Sequence, residues 1–309
     1  MALPVISKQR RLFANMATCW IPIKKWRKFA RGVLLMGYWR WRRVIKAEQT
    51  RTFKHQLAVA AIMKDEAPYV KEWIEYHLLV GVEKFYIYDN GSTDDTPNIL
   101  AQYAKRGIVE YKKLPGSNKQ NTAYIDAINC HAEDTRWLAC IDVDEFLVPV
   151  KHKSVPEFLE SLPRNFGAVI TTWVGYGSSG HVKKPDGLVI ENFKYHARQQ
   201  HGIKSIMNPR LIVEQRNPHI NRFAAFIVDE YGHRLSRINQ THNPPSYDII
   251  RCNHYAIRSW DECLARCAKG DVVSGAINDA KQRFAQWDKN EVYSDIMDKY
   301  IKIRKEKNI

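Results

Sequence analysis

Residues 57–100 read LAVAAIMKDEAPYVKEWIEYHLLVGVEKFYIYDNGSTDDTPNIL. The run Leu57 to Met63 is apolar, of strand length, and broken by Lys64-Asp65-Glu66, the pattern of a buried parallel strand. Val70, Trp73, Ile74, His77 and Leu78 then recur at helical spacing on one face, with Pro68 near the start and Gly81 at the end. A second strand, Lys84 to Tyr88, stops at Asp89-Asn90-Gly91-Ser92 and enters a new helix through Asp94, Asp95 and Thr96.

The same rhythm continues outward. A third strand is expected over Ile108 to Lys112, a helix over Asn121 to His131, and a fourth strand over Trp137 to Val143. Such alternation predicts an α/β fold whose mostly parallel sheet is joined by right-handed crossovers and flanked by helices. Ligands in such sheets sit at the carboxyl ends of the strands. Asp65 falls after the first strand, Asp89 and Asn90 after the second, and Asp142, Asp144 and Glu145 after the fourth. With 309 residues, 45% of them apolar, the chain is long enough to bury a large core.

The net charge of +15 is unevenly placed. Residues 1–56 carry fourteen lysines and arginines and one acid, Glu48, so thirteen of the net positive charges lie there and two remain for the rest. A nearly neutral body argues against a nucleic-acid groove, and no nucleic-acid partner is expected. Within the basic segment, WIPIKKWRKFARGVLLMGYWRWRRVI (20–45) interleaves aromatic and cationic residues. It lacks the ~18 to 20 apolar residues that span a bilayer. Val33 to Met36 is too short for a signal-peptide core, and no small-residue cleavage site follows. Contact with an anionic membrane surface and a basic helical hairpin packed on the body are the two leading readings, with a nucleic-acid arm, allowed by the same charge and aromatics, a poor third. The six cysteines form neither a CxxC pair nor a disulfide framework, and reduced thiols are expected.

Asp142-Val143-Asp144 at a strand end places two carboxylates on one side of an extended chain, within reach of one hard cation, Mn2+ or Mg2+. An isolated DxD is more often a solvated loop, and here the strand context favours metal. KDE after the first strand, EWIEYH, YIYDNGSTDDT and LACIDVDEFLVP together resemble the family-2-like bacterial glycosyltransferases and their relatives in glycosyltransferase family 92. WVGYGSSGH, GIKSIMNPR and NHYAIRSWDECLARCAKGD extend the resemblance over Leu57 to Asp271. CWIPIKKWRKFARG is similar, more loosely, to the start of bacterial lipopolysaccharide-type glycosyltransferases.

The resemblance implies a GT-A-like (Rossmann-like) domain over 57–277, between the basic aromatic segment 1–56 and a helical tail 278–309 that packs as a cap. It implies base and ribose contacts at Asp89 and Asn90, with Asp65 and Glu66 lining the same crevice; turn chemistry is the alternative for Asn90-Gly91-Ser92. His254 becomes a third metal ligand, with His219 competing and a purely structural histidine as the alternative. Lys204 and Arg258 become diphosphate contacts, or else surface cations. Asp186 and Asp229 are the candidate general bases, although Asp229 reads equally as a turn before Gly232. Trp173 and Tyr176 either stack on a sugar or pack in the core.

The expected function is metal-dependent transfer of a hexose from a nucleotide-sugar donor to a glycan or lipid-linked acceptor, in cell-surface polysaccharide or lipopolysaccharide synthesis. The expected location is cytoplasmic, with peripheral attachment to the inner face of the membrane open to it. A non-catalytic nucleotide-sugar or carbohydrate-binding protein of the same fold is the alternative.

Overall fold

The computed structural model describes all residues except 1–2, 164, 201, 216, 218–220, 237–245, 270–278 and 308–309. Helices α1 (Lys8–Thr18), α2 (Lys24–Met36) and α3 (Tyr38–Glu48) precede β1 (His55–Met63), α4 (Ala67–Leu79), β2 (Lys84–Asp89), α5 (Thr96–Lys105), β3 (Val109–Lys113), α6 (Gln120–His131) and β4 (Thr135–Cys140). There follow β5 (Glu145–Pro149), α7 (Val155–Ser161), β6 (Phe166–Gly175), α8 (Val189–Asn192), β7 (Tyr195–His196), β8 (Ile203–Met207), β9 (Ile212–Gln215), β10 (Asn221–Phe223) and β11 (Phe226–Val228). The chain closes with β12 (Ile250–His254), α9 (Trp260–Lys269), α10 (Ala280–Trp287), β13 (Val292–Tyr293) and α11 (Asp298–Glu306).

The main sheet runs β3-β2-β1-β4-β8-β6-β12-β5, with β11 also beside β6. Its first four strands are parallel, as the alternating sequence requires. β1 shows why the sheet sits in the middle. Leu57, Val59, Ala61 and Met63 face one side, with Trp73 and Ile74 of α4 and Leu100 of α5. Ala58, Ala60 and Ile62 face the other, with Ala123, Tyr124, Ala127 and Ile128 of α6. A period-two strand buried on both faces needs apolar residues at every position, and β1 supplies them. This is the α/β, GT-A-like architecture expected from the sequence.

The fourth strand ends sooner than expected. β4 stops at Cys140, and Asp142 to Asp144 form a turn into β5. The turn closes on itself, the Glu145 amide donating to the Asp142 carbonyl (3.0 Å) and the Asp142 amide to Glu145 Oε2 (2.9 Å).

The N-terminal helices are docked on the body. Ala14, Val33, Leu35 and Met36 are buried with Val213 and Ala224, and Val44 with Leu211 and Ala225. α2 approaches so closely that a Cβ on Gly32 would lie 2.0 Å from the Phe223 carbonyl oxygen. Trp41 donates its indole N–H to the Ala224 carbonyl (2.9 Å), and Glu48 pairs with the buried Arg210. The outward faces keep Leu12, Phe13, Met16, Trp20 and Trp39 exposed. No helix among the described residues is long and apolar enough to cross a membrane.

The C-terminal segment does more than cap. Met297, Tyr300 and Ile301 enter the main core, where Tyr300 meets Tyr76 edge-on with ring centroids 5.0 Å apart. β13 pairs with β7.

Candidate active site

β12 completes the site. It pairs with β5 so that His254 stands opposite Glu145, and with β6 so that His254 stands opposite Gly175. The Tyr255 amide donates to the Asp144 carbonyl (2.8 Å), fixing the acidic turn against the strand. Ligand atoms of Asp144, Glu145 and His254 all lie within 4.8 Å of one another, and all three residues are buried. Ligands around one cation at roughly 2.0–2.6 Å satisfy that spacing. Glu145 Oε1 and His254 Nδ1 are buried without a hydrogen-bond partner. Orphaned polar atoms of this kind are costly in a core unless something fills them. The donor set therefore fits a divalent metal, with Glu145 standing beside the Asp144 and His254 that the sequence nominated.

Asp142 faces another way. Its Oδ1 accepts from Gln120 Nε2 (3.0 Å) and the Tyr124 hydroxyl (3.2 Å), and its Oδ2 is 3.2 Å from Lys204 Nζ. Because the two aspartates lie in a turn rather than an extended strand, their side chains diverge. Lys204, 1% exposed, also reaches Glu145 Oε2 at 3.0 Å. It is thus a buried counter-ion to two carboxylates, held charged by Asp142 and Glu145 although burial works against it. Burial works to raise the Glu145 carboxyl, with Asp142 and Asp144 adding to that and the adjacent Lys204 ammonium opposing it. Asp144 goes the opposite way: burial would raise it, but Arg266, His254 and Arg258 outweigh that and hold it well below the usual carboxylate range. Arg266 of α9 makes a direct ion pair with Asp144, and His254 Nε2 lies 3.6 Å from the same oxygen.

The rim is cross-braced. Ser92 joins two loops, its hydroxyl accepting from the Asp65 amide (2.9 Å) and its amide donating to Asp89 Oδ1 (2.8 Å). Asp65 Oδ1 accepts from the Thr93 amide (2.7 Å), and the Tyr111 hydroxyl donates to Asp89 Oδ2 (2.6 Å). Asn90 Nδ2 donates to the carbonyls of Leu114 (2.9 Å) and Gly116 (2.7 Å), and the Glu66 amide donates to Thr96 Oγ1 (2.9 Å). Burial would raise Asp89, yet the hydrogen bonds from Ser92 and Tyr111 keep it below its ordinary value. Asp65, Glu66, Asp89 and Asn90 are therefore gathered at the ends of β1 and β2, as the sequence placed them. Arg258 is buried at φ +55°, with its guanidinium 3.5 Å from the centre of the Tyr69 ring.

Of the two candidate bases, Asp229 stands elsewhere. Asp229 accepts from the amides of Tyr231 (2.9 Å) and His233 (2.8 Å) in a turn. Val228 is paired with Val169 and His254 with Gly175, so Asp229 lies roughly 16 Å from the cluster at about 3.3 Å per residue along β6. Asp186 is exposed in the loop after β6, its carbonyl accepting from Asn192 Nδ2 (2.8 Å). Trp173 lies against His254, ring centroids 4.4 Å apart, and Tyr176 is buried with its hydroxyl accepting from Arg251 (2.8 Å). His219 lies outside the described residues.

Sequence reasoning missed Gln120, Tyr124, Arg266 and Trp287, whose ring centre is 5.3 Å from that of His254. Only the spacing of Gln120 and Tyr124, one helical turn apart, offered a signal.

Among solved structures, the chain is similar to S. aureus TarS 1–349, 13% identical at TM-score 0.36 over 50% of this chain and 48% of that one. It is also similar to glucosyl-3-phosphoglycerate synthase of Mycobacterium tuberculosis in complex with Mn2+, UDP and glucosyl-3-phosphoglycerate, 16% identical at TM-score 0.28 over 42% and 47%. A glycosyltransferase family 92 protein of Arabidopsis thaliana is 27% identical over 232 residues, 72% of this chain and 38% of that protein. One of Oryza sativa subsp. japonica is 25% identical over 210 residues, 67% and 34%. The chain thus spans little more than a third of the length of these plant relatives. The family's own sequence model matches residues 57–237, the stretch that runs from β1 through the acidic turn to the end of β11, and the chain belongs to glycosyltransferase family 92.

Proposed function

We propose that the protein is a metal-dependent hexosyltransferase that moves a sugar from a nucleotide-diphosphate donor to a glycan or lipid-linked acceptor in cell-surface polysaccharide or lipopolysaccharide synthesis. The observation that carries this reading is the buried Asp144–Glu145–His254 set at the carboxyl ends of the parallel strands, with two of its polar atoms unpaired. Asp144, Glu145 and His254 would hold Mn2+ or Mg2+, which would supply positive charge against the charge developing on the leaving nucleotide. Asp142, tied to Lys204, Gln120 and Tyr124, holds the turn that aims Asp144. Arg266 and Arg258 sit beside Asp144 and supply positive charge for phosphate oxygens. Asp65, Glu66, Asp89 and Asn90 form the wall for base and ribose.

The test is release of nucleoside diphosphate from a panel of UDP- and GDP-sugars, with Mn2+, with Mg2+ and with chelator. Asp144→Asn lowers release by roughly a hundredfold, the scale of losing one preorganised charge contact. Chelator-resistant turnover overturns the metal role, and donor binding without turnover leaves the non-catalytic binder. Membrane attachment belongs to the same proposal. Cations, the exposed Trp20 in the turn after α1 and the exposed Trp39 of α3, on a helical segment docked by its other side, support a peripheral position on the cytoplasmic face.

A further inference from the structure

A cavity of about 520 Å3 opens between the end of β6, the strand–loop segment after β7, and the end of α10. Its lining includes Gly175, Gln199, Gln200, Gln286, Trp287 and Glu291. None of these belongs to the metal-capable set, and residues from the C-terminal segment form a whole wall. The cavity is nevertheless next to that set: Trp287 meets His254 edge to face, ring centroids 5.3 Å apart, and His254 is 3.6 Å from Asp144. The indole also packs over Gly175, where a Cβ would lie at an ordinary contact distance of 3.5 Å.

We propose that this cavity is the acceptor subsite and that it holds one pyranose ring of the acceptor glycan, stacked on Trp287. The inference rests on the transferase reading and deepens it. A half-exposed indole offers an apolar, polarisable face for the C–H side of a sugar, and the amides of Gln199 and Gln286 offer donors and acceptors for its hydroxyls. Gln200 is 5% exposed and already committed, its Oε1 accepting from the Gly175 amide (2.8 Å), so it shapes the floor. The segment is held firmly in place: the Ser178 amide donates to Asp288 Oδ1 (2.8 Å), the Ser179 amide to Asn290 Oδ1 (2.8 Å), and the Arg198 amide to Glu291 Oε2 (2.7 Å). A ring seated there presents its edge to the metal-capable cluster, where the donor sugar would be.

Saturation-transfer NMR tests this with methyl glucoside, methyl galactoside and methyl N-acetylglucosaminide, each with UDP and Mn2+ in the same tube. At least one glycoside takes up saturation from the wild-type protein. Trp287→Ala weakens that signal by roughly tenfold, Trp287→Phe restores part of it, and Gln286→Ala and Gln199→Ala each weaken it by roughly threefold while the UDP signals persist. Equal glycoside signal in Trp287→Ala, or none from a wild type that binds UDP, overturns the subsite. Glycoside binding lost with Trp287 in a protein that releases no nucleotide from any donor sustains sugar binding in the cavity but defeats the transferase reading and the acceptor role with it.

Discussion

Lys204 and Glu145 are 1% and 0% exposed, and the ammonium lies 3.0 Å from one carboxylate and 3.2 Å from that of Asp142. Removing one partner of a buried pair leaves an uncompensated charge, which costs about 3–5 kcal/mol. Lys204→Ala is therefore expected to lower unfolding stability by that amount in denaturant titration. Lys204→Met combined with Glu145→Leu recovers most of the loss while remaining inactive, because well-packed apolar side chains replace such pairs at little cost. If the double variant turns over donor, the pair is not part of the machinery. At this scale the sequence showed which residues would gather but not how they face. Asp142 and Asp144 were legible as acids at a strand end. That their side chains diverge follows from the turn after Cys140, which an apolar run continuing through Ile141 and Val143 conceals. Lys204 reads as a phosphate contact in sequence, and only the pairing of β8 with β4 and β6 shows the carboxylates it neutralises.

Among the elements, α4 carries a proton-linked device. His77 is fully buried, with Nδ1 2.8 Å from the Trp73 carbonyl oxygen and Nε2 accepting from the Leu147 amide (3.2 Å). Burial lowers its pKa from 6.5 to about 3, the Trp73 carbonyl opposing the shift. Above 6.5 both folded and unfolded states hold it neutral, and its contribution is fully present. As pH falls below 6.5 the unfolded chain takes up a proton that the folded chain refuses until about 3, so stability is lost by about 1.4 kcal/mol per pH unit in that window. Acidification from about pH 6.5 to about pH 5 should cost the wild type roughly 2 kcal/mol more than it costs His77→Gln, measured by urea unfolding. Parallel slopes for the two proteins would remove the histidine from the account. The elements from β1 to β4 were readable because each apolar run or helical face is local. β8, β11 and β12 were not, since they are three to five residues long and earn their place by pairing with strands distant in sequence.

For the whole molecule, the helices of segment 1–56 are packed on the body, and contact with an anionic membrane is the proposal made for their outer side. That side keeps Trp20 and Trp39 about three-quarters exposed among arginines and lysines. Each cation near an anionic surface contributes roughly 1 kcal/mol, so sedimentation with phosphatidylserine vesicles should be strong at low salt and fall steeply with added salt. Trp20→Ser with Trp39→Ser should weaken it severalfold with little change in melting temperature, since both indoles are largely exposed. Binding that ignores both salt and these tryptophans would leave the hairpin purely structural. The order of the strands also has a consequence in time. His254 and its strand are made about a hundred residues after Glu145, the residue they must meet. At 5 to 20 residues per second a ribosome takes roughly 5 to 20 s to cover that distance. Until then the nascent acids stand without their histidine, and β5 has no partner in the sheet. The emerging chain, rather than the finished enzyme, is where this topology is exposed to wrong pairing, and a chaperone that shields β5 during synthesis would act where the need is greatest.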